Sequence, residues 1–197
     1  MLLDARAFVK EWMIPCCVIV QYDGSELNNS TWLSFMGMNN KNTGQNPALK
    51  WAPLFLKLPG VNFLVWLGAS IAVPYSANIH PEILHFSEGH LEIGMKKRRS
   101  LTNHMRTIHA VAMANLIELT ASGAVQASIP KTSRWIPRGM NIEYLKKART
   151  DLHSVCKFEI PDWNMTQDFP VKVDLYDMKG DIVAKGEVNI LIGPKLA

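Results

Sequence analysis

One acid stands alone in the most regular stretch of the chain. Residues 107–123 carry apolar side chains at helical spacing (Ile108, Val111, Ala112, Leu116, Leu119), with Thr107 as the expected cap, Gly123 as the expected stop, and Glu118 as the only carboxylate between them. A helical carboxylate can take a proton from water or attack a carbonyl carbon directly. The start of the helix, at His109 and Ala110, supplies the complementary half of that chemistry. Its first N–H groups have no intrahelical acceptor and lie at the positive end of the helix dipole, where they can stabilise an oxyanion. Ala114, Asn115, Ala121 and Ser122, one turn from Glu118 in each direction, are small and leave room for a substrate chain. Nine residues at about 100° each set His109 and Glu118 on opposite sides of one helix. A site that uses both therefore needs two copies of the chain related by symmetry.

Two basic clusters flank this segment, Lys96-Lys97-Arg98-Arg99 before it and Lys146-Lys147 with Arg149 after it. Arg and Lys suit phosphate as a fork and a point charge; a solvated basic face is the plain alternative for each. The three cysteines (Cys16, Cys17, Cys156) make neither a disulfide framework nor a zinc spacing, and the six histidines include no H-x-x-x-H pair. A reducing compartment is expected, with no metal and no cofactor.

These groups must be positioned by a larger frame. A chain of 197 residues, 48% of them hydrophobic, suits one compact domain with an appendage and excludes a disordered chain. Its net charge of +4 is below that of a dedicated nucleic-acid binder, and no aromatic residues interleave the basic run, so no nucleic-acid partner is expected. The amino-terminal residues lack the basic-then-apolar order of a secretory signal, so the expected location is cytoplasmic, with mitochondrial as the alternative. Residues 21–47 are rich in Asn, Ser and Gly and read as a linker, which divides the chain into an N-terminal extension (1–47) and a domain (48–197) led by a helical segment that breaks near Pro59-Gly60. Residues 61–73 are the most apolar, yet fall short of the roughly 20 residues a membrane span needs. They are expected to cover a sheet edge or form a dimer contact, membrane contact being the secondary reading.

Period-two alternation marks the strands. Residues 83–97 form a hairpin hinged at Ser87-Glu88-Gly89. Further strands follow the helix around Met140, Ile142 and Tyr144, around Cys156, Phe158 and Ile160, and around Val171, Val173 and Leu175. The last begins after a turn at Met178-Lys179-Gly180-Asp181. One helix must then cover the apolar side of a whole antiparallel sheet, which curls around it. The expected class is α+β, the hotdog fold.

The segment TNHMRTIHAVAMANLIE (residues 102–118) resembles the acyl-CoA thioesterase superfamily of hotdog proteins, in which an Asn precedes a His by six residues and a helical acid follows that His by nine. Within it the chain is similar to a thioesterase-like branch known only as a domain of unknown function, through its basic run before the Asn, its Ala-rich helix and its R-G-M-N-I-E-Y strand. The likeness spans about residues 50–193 and is strongest over 98–147. It implies an acyl-CoA or other acyl thioester as substrate and a site shared across a homodimer or dimer of dimers. Glu118 would be base or nucleophile, and Asn103 would orient the attacking water or the substrate carbonyl. His109 would act chiefly through its backbone or a hydrogen bond that holds the loop. The chain departs from the superfamily where Ala110-Val111 replace a common Gly-Gly and where Arg106 replaces a frequent Gly. The Ala110 Cβ narrows the oxyanion site, and Arg106 closes the pocket or binds a phosphate, as Lys146 and Lys147 would. The rival expectation is a non-catalytic hotdog module that binds acyl-CoA or an acyl carrier protein, or only dimerises; a hotdog hydratase is a third option, without the acid-plus-His pairing it would need.

Overall fold

The computed structural model describes residues 60–195 together with Leu54. The expected extension at 1–47, and most of the helical segment before Gly60, lie outside the described residues. Gly60, at φ 82°, adopts the left-handed backbone that its missing side chain permits and opens helix α1 (Val61–Ala72). Val73 interrupts that helix, and Pro74, whose ring presets a helical φ and needs no acceptor in a first turn, starts α2 (Pro74–Ala77). There follow the hairpin strands β1 (Glu82–Ser87) and β2 (His90–Met95), a 3-10 turn at Arg99–Leu101, and the central helix α3 (Ala110–Ser128). Strands β3 (Ser133–Tyr144), β4 (Leu152–Lys157), β5 (Gln167–Asp177) and β6 (Ile182–Pro194) complete the domain.

All six strands join one antiparallel sheet in the order β1-β2-β4-β5-β6-β3. Alternate residues of its inner face, among them Leu91, Ile93 and Met95 on β2, Val171, Val173 and Leu175 on β5, and Val188, Ile190 and Ile192 on β6, are buried in one core with Leu116, Ile117, Ala121, Ala124 and Val125 of α3. This is the hotdog fold. One polar pair sits in the core fully satisfied. Thr120 Oγ1 and Ser154 Oγ are 2.6 Å apart, one donating to the other, and the remaining hydroxyl proton goes to a backbone carbonyl, that of Leu116 (2.7 Å from Oγ1) or of Ile93 (3.1 Å from Oγ).

Two glycines let the helix approach the sheet this closely. A Cβ on Gly123 would stand 2.7 Å from Leu91 Cδ2, and one on Gly186 would collide with Ile117 Cγ2. The Ile117 methyl is fixed to a branched carbon, whereas the tip of Leu91 can rotate away. Gly186→Ala is therefore expected to lower stability by about 1–3 kcal/mol, and Gly123→Ala by less, measured as the shift of the urea midpoint at unchanged slope.

The structure corrects three expectations. Helix α3 begins at Ala110 with His109, not Thr107, as its cap, and it runs through Gly123 to Ser128. Gly123 serves close packing, and the stop comes instead from Pro130, which holds the preceding Ile129 in extended backbone (φ −72°, ψ 134°). Strand β3 starts at Ser133 rather than near Met140. Pro137 and the register shift between Pro137 and Gly139 mask its pattern, and an edge strand tolerates such a proline. Consequently Met140 and Tyr144 are largely exposed. The strand around Cys156 ends at Lys157, short of Phe158 and Ile160. Among the described residues no helix is long and apolar enough to cross a membrane.

Candidate active site

Helix α3 is buried along most of its length, and its less buried stripe runs through Val111, Ala114 and Glu118 on successive turns. Glu118 is half-buried on this stripe. Four residues on, Ser122 Oγ donates to Glu118 Oε1 at 2.7 Å, which fixes the carboxylate on the helix surface and leaves Oε2 for a water or a carbonyl carbon. Ser122, expected only to make room, is thus the direct partner of the acid; the four-residue spacing that lets helical side chains meet was the signal for it. Asn115 is buried beneath α2, with its amide 3.5 Å from the Tyr75 carbonyl, and Ala121 faces the sheet, so neither borders open space beside Glu118.

The helix start is built by the loop before it. Residues 101–109 fold back on themselves. Thr102 bridges Ile108, the His109 N–H donates to the Leu101 carbonyl (2.8 Å), and the Ile108 N–H donates to the Ala148 carbonyl (2.9 Å). Asn103 organises the tip. Its Oδ1 accepts from the Met105 and Thr107 N–H groups at 2.9 and 3.2 Å, and its Nδ2 donates to Thr107 Oγ1 at 2.9 Å. Arg106 closes the turn at φ 60°, a left-handed conformation that disfavours any side chain and explains why glycine suits this position.

His109 caps the helix with its ring. Nδ1 accepts from the Val111 N–H at 3.1 Å, placing the proton of the neutral ring on Nε2. The Ala112 and Met113 N–H groups both donate to the His109 carbonyl. Among the described residues this leaves the Ala110 N–H as the one first-turn donor without an acceptor, available to an oxyanion. Tyr144, at the far end of β3, donates its hydroxyl to the Ala110 carbonyl at 3.1 Å. It ties the edge strand to the helix start, a contact that no spacing along the chain announces.

The two basic clusters, far apart in sequence, converge beside this loop. Lys97 Nζ donates to the Arg149 carbonyl at 2.8 Å, and Ala148 holds the loop strand through Ile108. Two of the cations are engaged by carboxylates: Lys96 by Glu82 at 2.6 Å and Lys146 by Asp181 at 2.8 Å, each hydrogen bond holding its ammonium above the usual lysine range. Lys147, Arg99 and Arg106 are exposed with no ion-pair partner among the described residues. The described cysteine, Cys156, is no nucleophile; burial pushes its thiol up to about 12.

The family model described as a domain of unknown function (DUF4442) matches residues 62–192. No curated protein matches the sequence. Among solved structures, a structural genomics target is 32% identical, with 74% of this chain and 97% of that chain covered at a TM-score of 0.67. A Pseudomonas aeruginosa protein of unknown function, described as a probable thioesterase, is 16% identical over 70% of this chain and 97% of its own, at a TM-score of 0.61. A Haemophilus influenzae thioesterase is 13% identical over 60% and 82%, at 0.53. At those identities the last two likenesses establish a common fold.

Proposed function

The chain belongs to the DUF4442 family and carries the hotdog fold, and from its site we propose that it hydrolyses acyl-CoA or a related acyl thioester. The reading is carried by Glu118, the sole acid of a helix buried along most of its length, held at its surface by Ser122. In the base route, Glu118 takes a proton from water, the hydroxide adds to the thioester carbon, and the Ala110 N–H of the helix start receives the developing oxyanion. The C–S bond then breaks, and the thiolate leaves with the proton held on Glu118. In the nucleophile route, Glu118 itself adds to the carbon, the C–S bond breaks to release the thiolate, and water cleaves the resulting anhydride to free the acid and restore the carboxylate. Asn103 and His109 act as positioning residues, through the loop and the helix cap respectively. Arg106 and Lys147 meet the phosphates of the carrier; Lys146, already paired to Asp181, contributes to the same rim.

The active unit is a homodimer, alone or doubled into a tetramer. Glu118 lies nine residues along α3 from its cap, roughly 13 Å of axial rise and on the opposite side. Strand β3, one edge of the sheet, offers 12 residues of backbone for pairing with a second copy. Through Tyr144 that edge adjoins the helix start, so a partner docked there would bring its own Glu118 toward it.

The test is steady-state hydrolysis of acyl-CoAs of increasing chain length by the purified protein, with thiol release as the readout. Turnover of at least one chain length is expected. Saturable binding without turnover would overturn the assignment and favour a non-catalytic acyl-binding module.

A further inference from the structure

Helix α1 points an apolar stripe away from the protein. At 100° per residue, Phe63, Leu64, Leu67 and Ile71 fall within about 100° of one another around the axis. Phe63 is 61% exposed, Leu64 42% and Ile71 65%, and Tyr75 just beyond the helix is 63% exposed. The opposite side, with Val61 and Val65, packs inward. A surface helix ordinarily turns its polar side to water; here both sides are apolar, and residues 58–79 contain no Lys, Arg, Asp or Glu at all. Contiguous exposed apolar surface of this kind marks a binding face.

A cation, Arg98, stands at the border of this face. Arg98 Nη2 donates to the Asn78 carbonyl at the end of α2 (2.8 Å), and His80 stacks on Trp66 of α1 with ring centroids 5.0 Å apart. Lys97, Arg98 and Arg99 have no carboxylate partner among the described ion pairs. An apolar stripe beside Arg98, itself part of a basic run without carboxylate partners among the described ion pairs, complements one kind of surface, an anionic bilayer. Apolar side chains enter at the boundary between headgroups and acyl chains, and Lys and Arg meet the lipid phosphates. A second copy packed α1 against α1 would instead bring two basic runs together. With 12 residues, or roughly 18 Å, α1 would lie in the interface and not cross it.

We propose that α1 docks this protein on anionic lipid membranes, with Phe63, Leu64, Leu67 and Ile71 inserted. The inference is independent of the hydrolytic reading and is tested without a substrate. The full chain is floated with vesicles of phosphatidylcholine alone or mixed with phosphatidylglycerol, at low and high ionic strength, as wild type and as the double variant Phe63→Ser, Leu64→Ser. Wild type is expected to float with the mixed vesicles and to be released as salt rises. The double variant is expected to lose about tenfold or more of that partition. Equal partition of the two proteins would overturn the proposal, as would failure of wild type to bind either vesicle. In the latter case light scattering assigns the face. A mass that falls on double substitution gives it to a second copy, and an unchanged mass excludes that occupant too. Because both side chains are exposed, the melting temperature should hold; should it drop, Ile71→Ser provides the same comparison.

Discussion

Replacing Glu118 with glutamine is expected to lower kcat for acyl-CoA hydrolysis by about 10²–10⁴-fold while leaving KM and the melting temperature close to wild type. The substitution keeps the shape of the side chain, and its amide oxygen can still accept from Ser122 Oγ, so the hydrogen bond that orients residue 118 survives. What is lost is the negative charge and the lone pair that takes the proton or attacks. Residue 118 is half-buried, so exchanging the carboxylate for an amide there leaves no buried charge stranded. Wild-type turnover in Glu118→Gln would place the base elsewhere. A single-turnover reaction in ¹⁸O-labelled water tests the nucleophile route: label in the Glu118 carboxylate shows that water has opened an anhydride at residue 118, an outcome the base route does not produce.

Where the sequence was legible, it was legible for a physical reason. Strands β2, β5 and β6 are central and line one face of the core, so period-two alternation had to appear in them, as Leu91, Ile93 and Met95 show. One helix against one sheet followed from the order of those periodic segments. The part of strand β3 before Met140 escaped because an edge strand is free of that constraint: it accepts Pro137, and its later part leaves Met140 and Tyr144 exposed. Local rules for helix ends misplaced both termini of α3 because tertiary contacts took over the residues they rely on. Thr107 is engaged by Asn103, and Gly123 is needed beneath Leu91.

The site divides in the same way. Glu118 stood out because an acid inside an apolar helix is costly without a purpose or a partner. Asn103, singled out by resemblance, has its amide occupied by Met105 and Thr107, so its influence on any substrate passes through the loop it shapes. The convergence of Lys97 with Arg149, and the reach of Tyr144 to Ala110, join residues distant in the chain. No single-sequence pattern encodes such contacts, because neither partner constrains the spacing of the other.

The proposed oxyanion donor is a backbone group, which most substitutions cannot touch, but Ala110→Pro removes it. Proline is favoured at the first position of a helix, where its missing N–H costs no intrahelical bond. His109 already has the extended backbone (φ −67°, ψ 139°) required of a residue before proline. The helix and its cap are therefore expected to persist, with the melting temperature held, while kcat falls about 10²–10³-fold for want of one oxyanion donor. Undiminished kcat would remove the Ala110 N–H from the mechanism. The variant also tests where the two halves of the site come from. Mixed and refolded in equal amounts, Glu118→Gln and Ala110→Pro chains pair at random, and half of the dimers contain one of each. If each site takes its acid from one protomer and its helix start from the other, one site in every mixed dimer is intact, and activity should return to about a quarter of wild type. If each protomer holds a complete site of its own, every site carries one lesion and the mixture stays as inactive as its components.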